Sequence, residues 1–113
     1  MSTSSRCLDR RFRPMAEQLL RLARKFGPYH FTSTCRTRAE QQRLYDDRDN
    51  NEFPVAPPGH SMHERGLAVD LARDDIDPYQ DIVLHLIGAS WRQADPSLHW
   101  SESDPIHFEW RPN

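Results

Sequence analysis

An α+β fold is expected for this chain: a small, mostly antiparallel sheet with helices packed on one side and a metal-binding cleft on the sheet. Three observations lead there. Residues 29–35, 67–72, 98–100 and 106–110 have strand composition or alternate apolar and polar side chains with period two. Residues 14–26 and 78–94 repeat apolar side chains at helical spacing behind an early proline. A histidine and carboxylates fall on common faces of two of the strands, which is how a sheet presents metal ligands.

The elements follow in order. Residues 1–13 are polar and basic and are expected to form a flexible segment lying loosely on the surface. Pro14 opens a helix carrying Met15, Leu19, Leu22, Ala23 and Phe26 on its sheet-facing side, and Gly27-Pro28 stops it. The arginines on its outer side read as a solvated surface. Aromatic and β-branched residues then make 29–35 a strand. Thr37-Arg38-Ala39-Glu40 is a capping box, in which the Thr37 hydroxyl and the Glu40 carboxylate satisfy backbone donors at the start of a second helix. This holds Arg36 at a strand-to-helix junction.

Residues 46–62 are acidic and proline-rich, cannot build a core, and read as a lip of the cleft. Asp77 caps and Pro78 begins a third helix with Tyr79, Ile82, Val83, Leu86, Ile87 and Trp91 on one face, ending before Asp95-Pro96. Residues 101–105 tightly connect the last two strands. There is no internal repeat and no low-complexity tract.

With 113 residues and 36% hydrophobic content, residues 14–113 suit one domain. A formal net charge of −2 speaks against a nucleic-acid binder. A signal-peptide core and a membrane-length apolar run are both lacking, so a cytoplasmic, monomeric protein without a membrane partner is expected. Cys7 and Cys35 are far apart with no CxxC pair and are expected to be reduced thiols.

The chemistry concentrates in residues 61–71. His63 and Asp70 are seven positions apart, so on one straight strand they would face opposite ways; Gly66 lets the chain bend and bring them together. Beyond the bend Ala68, Asp70 and Ala72 share one face, and the alanines leave space around the carboxylate. Histidine and aspartate are two of the three protein ligands that a catalytic zinc needs, its fourth position staying open for water. His107 is the third candidate. It shares a face with Glu109, while Phe108 and Trp110 face the other way.

Glu109 is placed to accept the second N–H of the His107 ring. Asp104, three residues before His107 and stiffened by Pro105, is the candidate general base. Glu64 follows a ligand directly and is expected to point away from it. His60 belongs at the rim or behind the ligands, His30 and His85 are structural, and His99 stays open between a surface and a substrate-contacting role.

The order Ser61-x-His63-x-x-Gly66-x-Ala68-x-Asp70, followed by Asp104-x-x-His107-Phe108-Glu109, resembles the signature of the zinc peptidases that include D-alanyl-D-alanine carboxypeptidases, D-Ala-D-Ala dipeptidases and phage L-alanyl-D-glutamate endolysins. Ser33-Thr34-Cys35-Arg36-Thr37 with Gln41, Leu44 and Tyr45 matches that family's upstream arginine block, so the resemblance runs from about residue 32 to 110. It implies one Zn2+ per chain on His63, Asp70 and His107, with Asp104 as base. It also implies that Arg36 stabilises the oxyanion, and that Ser61, Arg36 and Gln41 contact a peptidoglycan stem peptide.

An aspartate at the position of Asp104 is a feature of the endolysin branch. It suggests a phage or prophage enzyme released to the wall through a membrane hole, although a cytoplasmic recycling enzyme would look the same. Thr34-Cys35, where the family commonly has Gly-Tyr, and the short stretch between Trp100 and His107 depart from the pattern. The competing reading is a non-catalytic zinc module of the same fold, as in the resembling hedgehog-type signalling domain; such a module has no need of Asp104.

Overall fold

The structure, a computed structural model, describes residues 1–112. Among the described residues three α-helices and four strands follow in the order α1 (Arg13–Arg24), β1 (His30–Ser33), α2 (Arg38–Asp46), β2 (Ala68–Ala72), α3 (Ile82–Ala94), β3 (Leu98–Ser101) and β4 (Asp104–Trp110). The strands form one sheet in the order β1-β2-β4-β3, antiparallel at every pairing. Each expected strand is present, with bounds shifted by one or two residues.

Period two decides the two faces of the sheet. Val69, Leu71, Phe31 and Phe108 point to a core shared with Leu19 and Ala23 of α1 and Leu84 and Ile87 of α3. Tyr29 donates a 2.7 Å hydrogen bond to Asp81 at one end, and Phe12 meets Trp91 edge-on at the other, so α1 and α3 run antiparallel. On the opposite face, Asp70 pairs directly with His107 and Ala68 with Glu109. Helices on one side of the sheet therefore describes α1 and α3. The single buried residue of α2, Gln41, instead lines the cleft on the other side.

Four sequence expectations need correcting. Residues 1–13 are not loose: Ser5–Cys7 forms a 3-10 turn, Leu8 and Phe12 are buried in the core, and the Asp9 N–H donates to the Gly66 carbonyl. Cys7 and Cys35 are not free thiols but a disulfide, their Cα atoms 6.1 Å apart and within bridging range. The Thr34 N–H and hydroxyl donate to the Ser2 and Ser4 carbonyls and draw the two segments together.

On α1 the inward face is Ala16, Leu19 and Ala23, which leaves Leu22 and Phe26 exposed. The third helix is split. Asp77 caps only the turn Pro78–Gln80, and Asp81 caps α3 by accepting from the Leu84 N–H. The new start resets the helical phase, so Leu84, Ile87 and Gly88 face inward while Ile82 and Leu86 are 75% and 63% exposed. Gly88 is required there because the Trp100 ring lies where a Cβ would project.

Candidate metal centre and active site

His63 reaches the sheet from a 3-10 turn, Met62–Arg65. The Ser61 hydroxyl accepts from the His63 N–H and the Glu64 carboxylate accepts from the Ser61 N–H, a complete capping box. Glu64 also accepts from the Gly59 N–H, which removes it from the metal side as expected. Gly66 ends the turn in the left-handed region at φ 69°, and its N–H returns to the Met62 and His63 carbonyls. This is the anticipated bend between His63 and Asp70.

The three ligand atoms converge. His63 Nε2 lies 3.1 Å and His107 Nδ1 3.2 Å from Asp70 Oδ1, and all three lie within 4.8 Å of one another. A tetrahedral zinc with bonds of about 2.0–2.1 Å keeps its ligand atoms roughly 3.3 Å apart, so the donor set of two imidazoles and one carboxylate fits that ion. The ring orientations fit as well. A carbonyl only accepts, so the contact between His63 Nδ1 and the Thr34 carbonyl puts the proton on Nδ1 and leaves Nε2 free for a metal. His107 Nε2 lies 2.6 Å from Glu109 Oε1, which leaves Nδ1 facing Asp70.

A family model described as VanY, D-alanyl-D-alanine carboxypeptidase, matches residues 5–110. The chain belongs to the VanY family. Among curated proteins none matches the sequence.

Similar solved structures carry the same fold at low identity. A variant of the vancomycin-resistance D,D-pentapeptidase VanY, in complex with Zn(II), aligns at TM-score 0.59 and 23% identity over 93% of this chain and 73% of its own. The LdcB LD-carboxypeptidase aligns at TM-score 0.63 and 21% identity, over 97% of this chain and 70% of its own. The D,D-dipeptidase VanXYg, in complex with a D-Ala-D-Ala phosphinate analogue, aligns at TM-score 0.65 and 21% identity over 91% of this chain; the chain spans 50% of its length.

In this VanY-family chain the electrostatics of the ligand group are tightly coupled. Burial works against ionisation of Asp70, but the His63 and His107 rings outweigh it and hold the carboxyl far below its ordinary value. Burial also opposes the charged form of His107, yet Asp70 and Glu109 push its pKa up to about 10. Glu109 is held at about 2 against its own burial, by His107 and by Arg111. Two carboxylates thus compensate the cationic His107, and a divalent metal replacing its proton meets the same compensation.

Arg36 sits beside them with three partners. Its Nε donates to the Ser33 hydroxyl (3.2 Å), Nη1 to Gln41 Oε1 (3.3 Å) and Nη2 to Asp70 Oδ2 (3.0 Å). Gln41, fully buried at 0% exposure, is itself fixed by donating to the Ala56 carbonyl at 2.7 Å. Gln41 therefore orients Arg36 and ties α2 to the acidic loop. Ser33 and Thr34 belong to the site through a hydroxyl and a carbonyl. The Thr34 carbonyl has no signal in the sequence, since any residue supplies a carbonyl, and Ser33 is marked only by its place in the upstream arginine block.

A cleft of about 420 Å3 opens over the three converging residues, lined by Arg36, Gln41, Ser61, His63, Asp70, Asp104, His107 and Glu109. His60 is exposed at its rim. Among the described residues, Asp104 Oδ1 is the buried side-chain oxygen without a hydrogen-bond partner. Burial raises the Asp104 pKa, the cationic His107 works against the rise, and the Asp70 charge adds to it.

The acidic loop forms a wall as the sequence suggests, but what pins it was not anticipated. Phe53 stacks on Tyr79 with centroids 5.6 Å apart, and the Tyr79 hydroxyl donates to the Ser103 carbonyl. His99 faces Glu109 across the β3–β4 pairing and is not among the residues lining the cleft, His30 pairs with Asp74, and His85 contacts the Pro78 carbonyl.

Proposed function

We propose that the protein is a zinc metallopeptidase that hydrolyses peptide bonds in peptidoglycan stem peptides, with one zinc held by His63, Asp70 and His107. The observation that carries this reading is the orphaned Asp104 oxygen in a cleft that opens over three converging ligands. A zinc kept for stability is normally closed by a fourth protein ligand, whereas among the described residues the group comprises three. The non-catalytic reading accounts for neither feature.

When bound, zinc supplies a Lewis acid that lowers the pKa of a water from about 9 in aqueous zinc toward roughly 7. Asp104 takes the proton of the attacking water and returns it to the leaving amine. His63 and His107 are kept in single orientations by the Thr34 carbonyl and Glu109. Arg36, steered by Gln41, holds positive charge where the carbonyl oxygen becomes negative, and Ser61 lies at the cleft to bind a substrate carboxylate.

Within this class we propose cleavage of either the L-alanyl-D-glutamate or the D-alanyl-D-alanine bond, in an endolysin-type role at the cell wall. The aspartate at position 104, as in the resembling endolysins, supports the first, and the matching family model, described as D-alanyl-D-alanine carboxypeptidase, supports the second. The test incubates the protein with muropeptides of known sequence, with and without zinc and chelator, beside Asp104→Asn. Zinc-dependent cleavage lost in the variant is expected, and fragment masses name the bond. Stoichiometric zinc binding without any cleavage would overturn the catalytic reading.

A further inference from the structure

Two of the contacts that brace His63 from outside its own turn come from the residues on either side of Cys35. The Thr34 carbonyl accepts from the His63 ring, and the Arg36 N–H donates to the His63 carbonyl at 3.1 Å. Cys35 is joined to Cys7. The Cys7 side is anchored in turn: the Thr34 N–H donates to the Ser2 carbonyl at 2.8 Å, the Thr34 hydroxyl to the Ser4 carbonyl at 2.7 Å, and the Asp9 N–H to the Gly66 carbonyl at 3.0 Å. Gly66 ends the His63 turn and touches the N-terminal backbone, where an added Cβ would come 2.8 Å from Asp9 N. The bridge therefore closes a ring that runs from Cys7 through Cys35 and its two neighbours to His63 and Gly66, then back through Asp9.

Thr34, Cys35 and Arg36 lie between β1 and α2 and carry no strand or helix hydrogen bonds of their own. Without the bridge, what keeps them beside His63 is the packing of buried Thr34 and of Cys35 against the core, together with a handful of single hydrogen bonds, each worth only about 0.5–1.5 kcal/mol. Cys7 is exposed, so the bridge is reachable from solvent.

We propose that the Cys7–Cys35 disulfide is a positioning element of the metal centre: oxidised, it holds His63 Nε2 for the metal, and reduced, it lets the ligand loosen and zinc affinity fall. The inference rests on the zinc reading above. It makes the centre strongest in an oxidising compartment and weak in a reducing one. Reduction by a phosphine breaks the Sγ–Sγ bond with two electrons from phosphorus. Water gives its oxygen to the phosphine oxide and its two protons to the two thiolates.

The test measures zinc affinity of the full chain by competition with a chromophoric chelator, with circular dichroism showing that each sample is folded. The samples are the oxidised protein, the phosphine-reduced protein freed of phosphine without oxygen, and Cys7→Ala/Cys35→Ala, which removes any zinc binding by the freed thiols. Loss of a partner that orients a metal-bound histidine typically costs about 10–100-fold in affinity, and a loss of about tenfold is expected in the reduced protein and in the variant. Reoxidation should restore the affinity of the reduced protein.

A lower melting temperature with unchanged zinc affinity means that the bridge is merely structural and overturns the proposal. Absence of zinc binding by the oxidised protein overturns the zinc reading and this one with it, whereas equal affinities in all samples overturn this one alone. Should the double variant not fold, the comparison moves to Cys7→Ser, which removes the bridge at its exposed end and leaves Cys35 in place. A loss of about tenfold is expected there, and an unchanged affinity overturns the proposal.

Discussion

Replacing Gly66 by alanine should destabilise the protein by about 2–4 kcal/mol, from two separable causes. The backbone there is left-handed at φ 69°, which costs a residue with a Cβ roughly 1–2 kcal/mol. The Cβ would also lie 2.8 Å from Asp9 N, a backbone atom that cannot swing aside. Moving it breaks the 3.0 Å bond from the Asp9 N–H to the Gly66 carbonyl, a further loss of about 0.5–1.5 kcal/mol plus any desolvation left uncompensated. With a urea m-value of about 1.5–2 kcal/mol per molar, the unfolding midpoint should fall by roughly 1–2.7 M. Asparagine tolerates the left-handed region but carries the same Cβ, so Gly66→Asn should recover the backbone part and not the clash. A midpoint for Gly66→Ala within 0.3 M (about 0.5 kcal/mol) of the parent would refute the reasoning, and full recovery in Gly66→Asn would remove the contact with Asp9 from it.

In the proposed reaction Asp104 serves as a base only when ionised; burial raises its pKa and a bound dication would lower it, so activity should fall on the acid side as the carboxyl is protonated, and a pH–rate profile without an acid limb would exclude it. Arg36→Lys keeps the charge but loses the three-way fork to Ser33, Gln41 and Asp70, so steady-state kinetics should show turnover down by about a hundredfold or more. Tyr29→Phe leaves the buried Asp81 Oδ2 without its 2.7 Å donor and should cost about 1–3 kcal/mol in denaturant unfolding. Burial, reinforced by Asp81, pushes Tyr29 up to about 12 from 10.0; its contribution is therefore complete below pH 10 and lost as pH rises through 12, a decline that Tyr29→Phe should lack.

Much of the site was legible because its ligands obey local geometry. Asp70 and His107 each sit on a strand whose alternation names the face, and the antiparallel register sets them opposite each other. The bend that brings in His63 is marked by a glycine that the left-handed turn requires. The capping box at Thr37 is likewise a contact between residues three apart, and it formed as read.

Contacts between distant segments left no such trace. Two cysteines 28 positions apart carry no pairing information, and their bridge depends on where the N-terminal turn docks. The inward face of α3 followed from which of two aspartates caps it, and Asp81 prevails because Tyr29, far away in sequence, also bonds to it. The carbonyl of Thr34 and the orphaned oxygen of Asp104 are properties of position and burial, which residue type does not encode. Residue identity and spacing were enough for the α+β class and for picking out the three residues that converge as a candidate metal site, since strand alternation and a marked bend are short-range features. The disulfide, the helix phase and the bracing of His63 and Arg36 arose only on folding, because each depends on long-range packing that brings remote backbone groups within hydrogen-bonding or bonding distance.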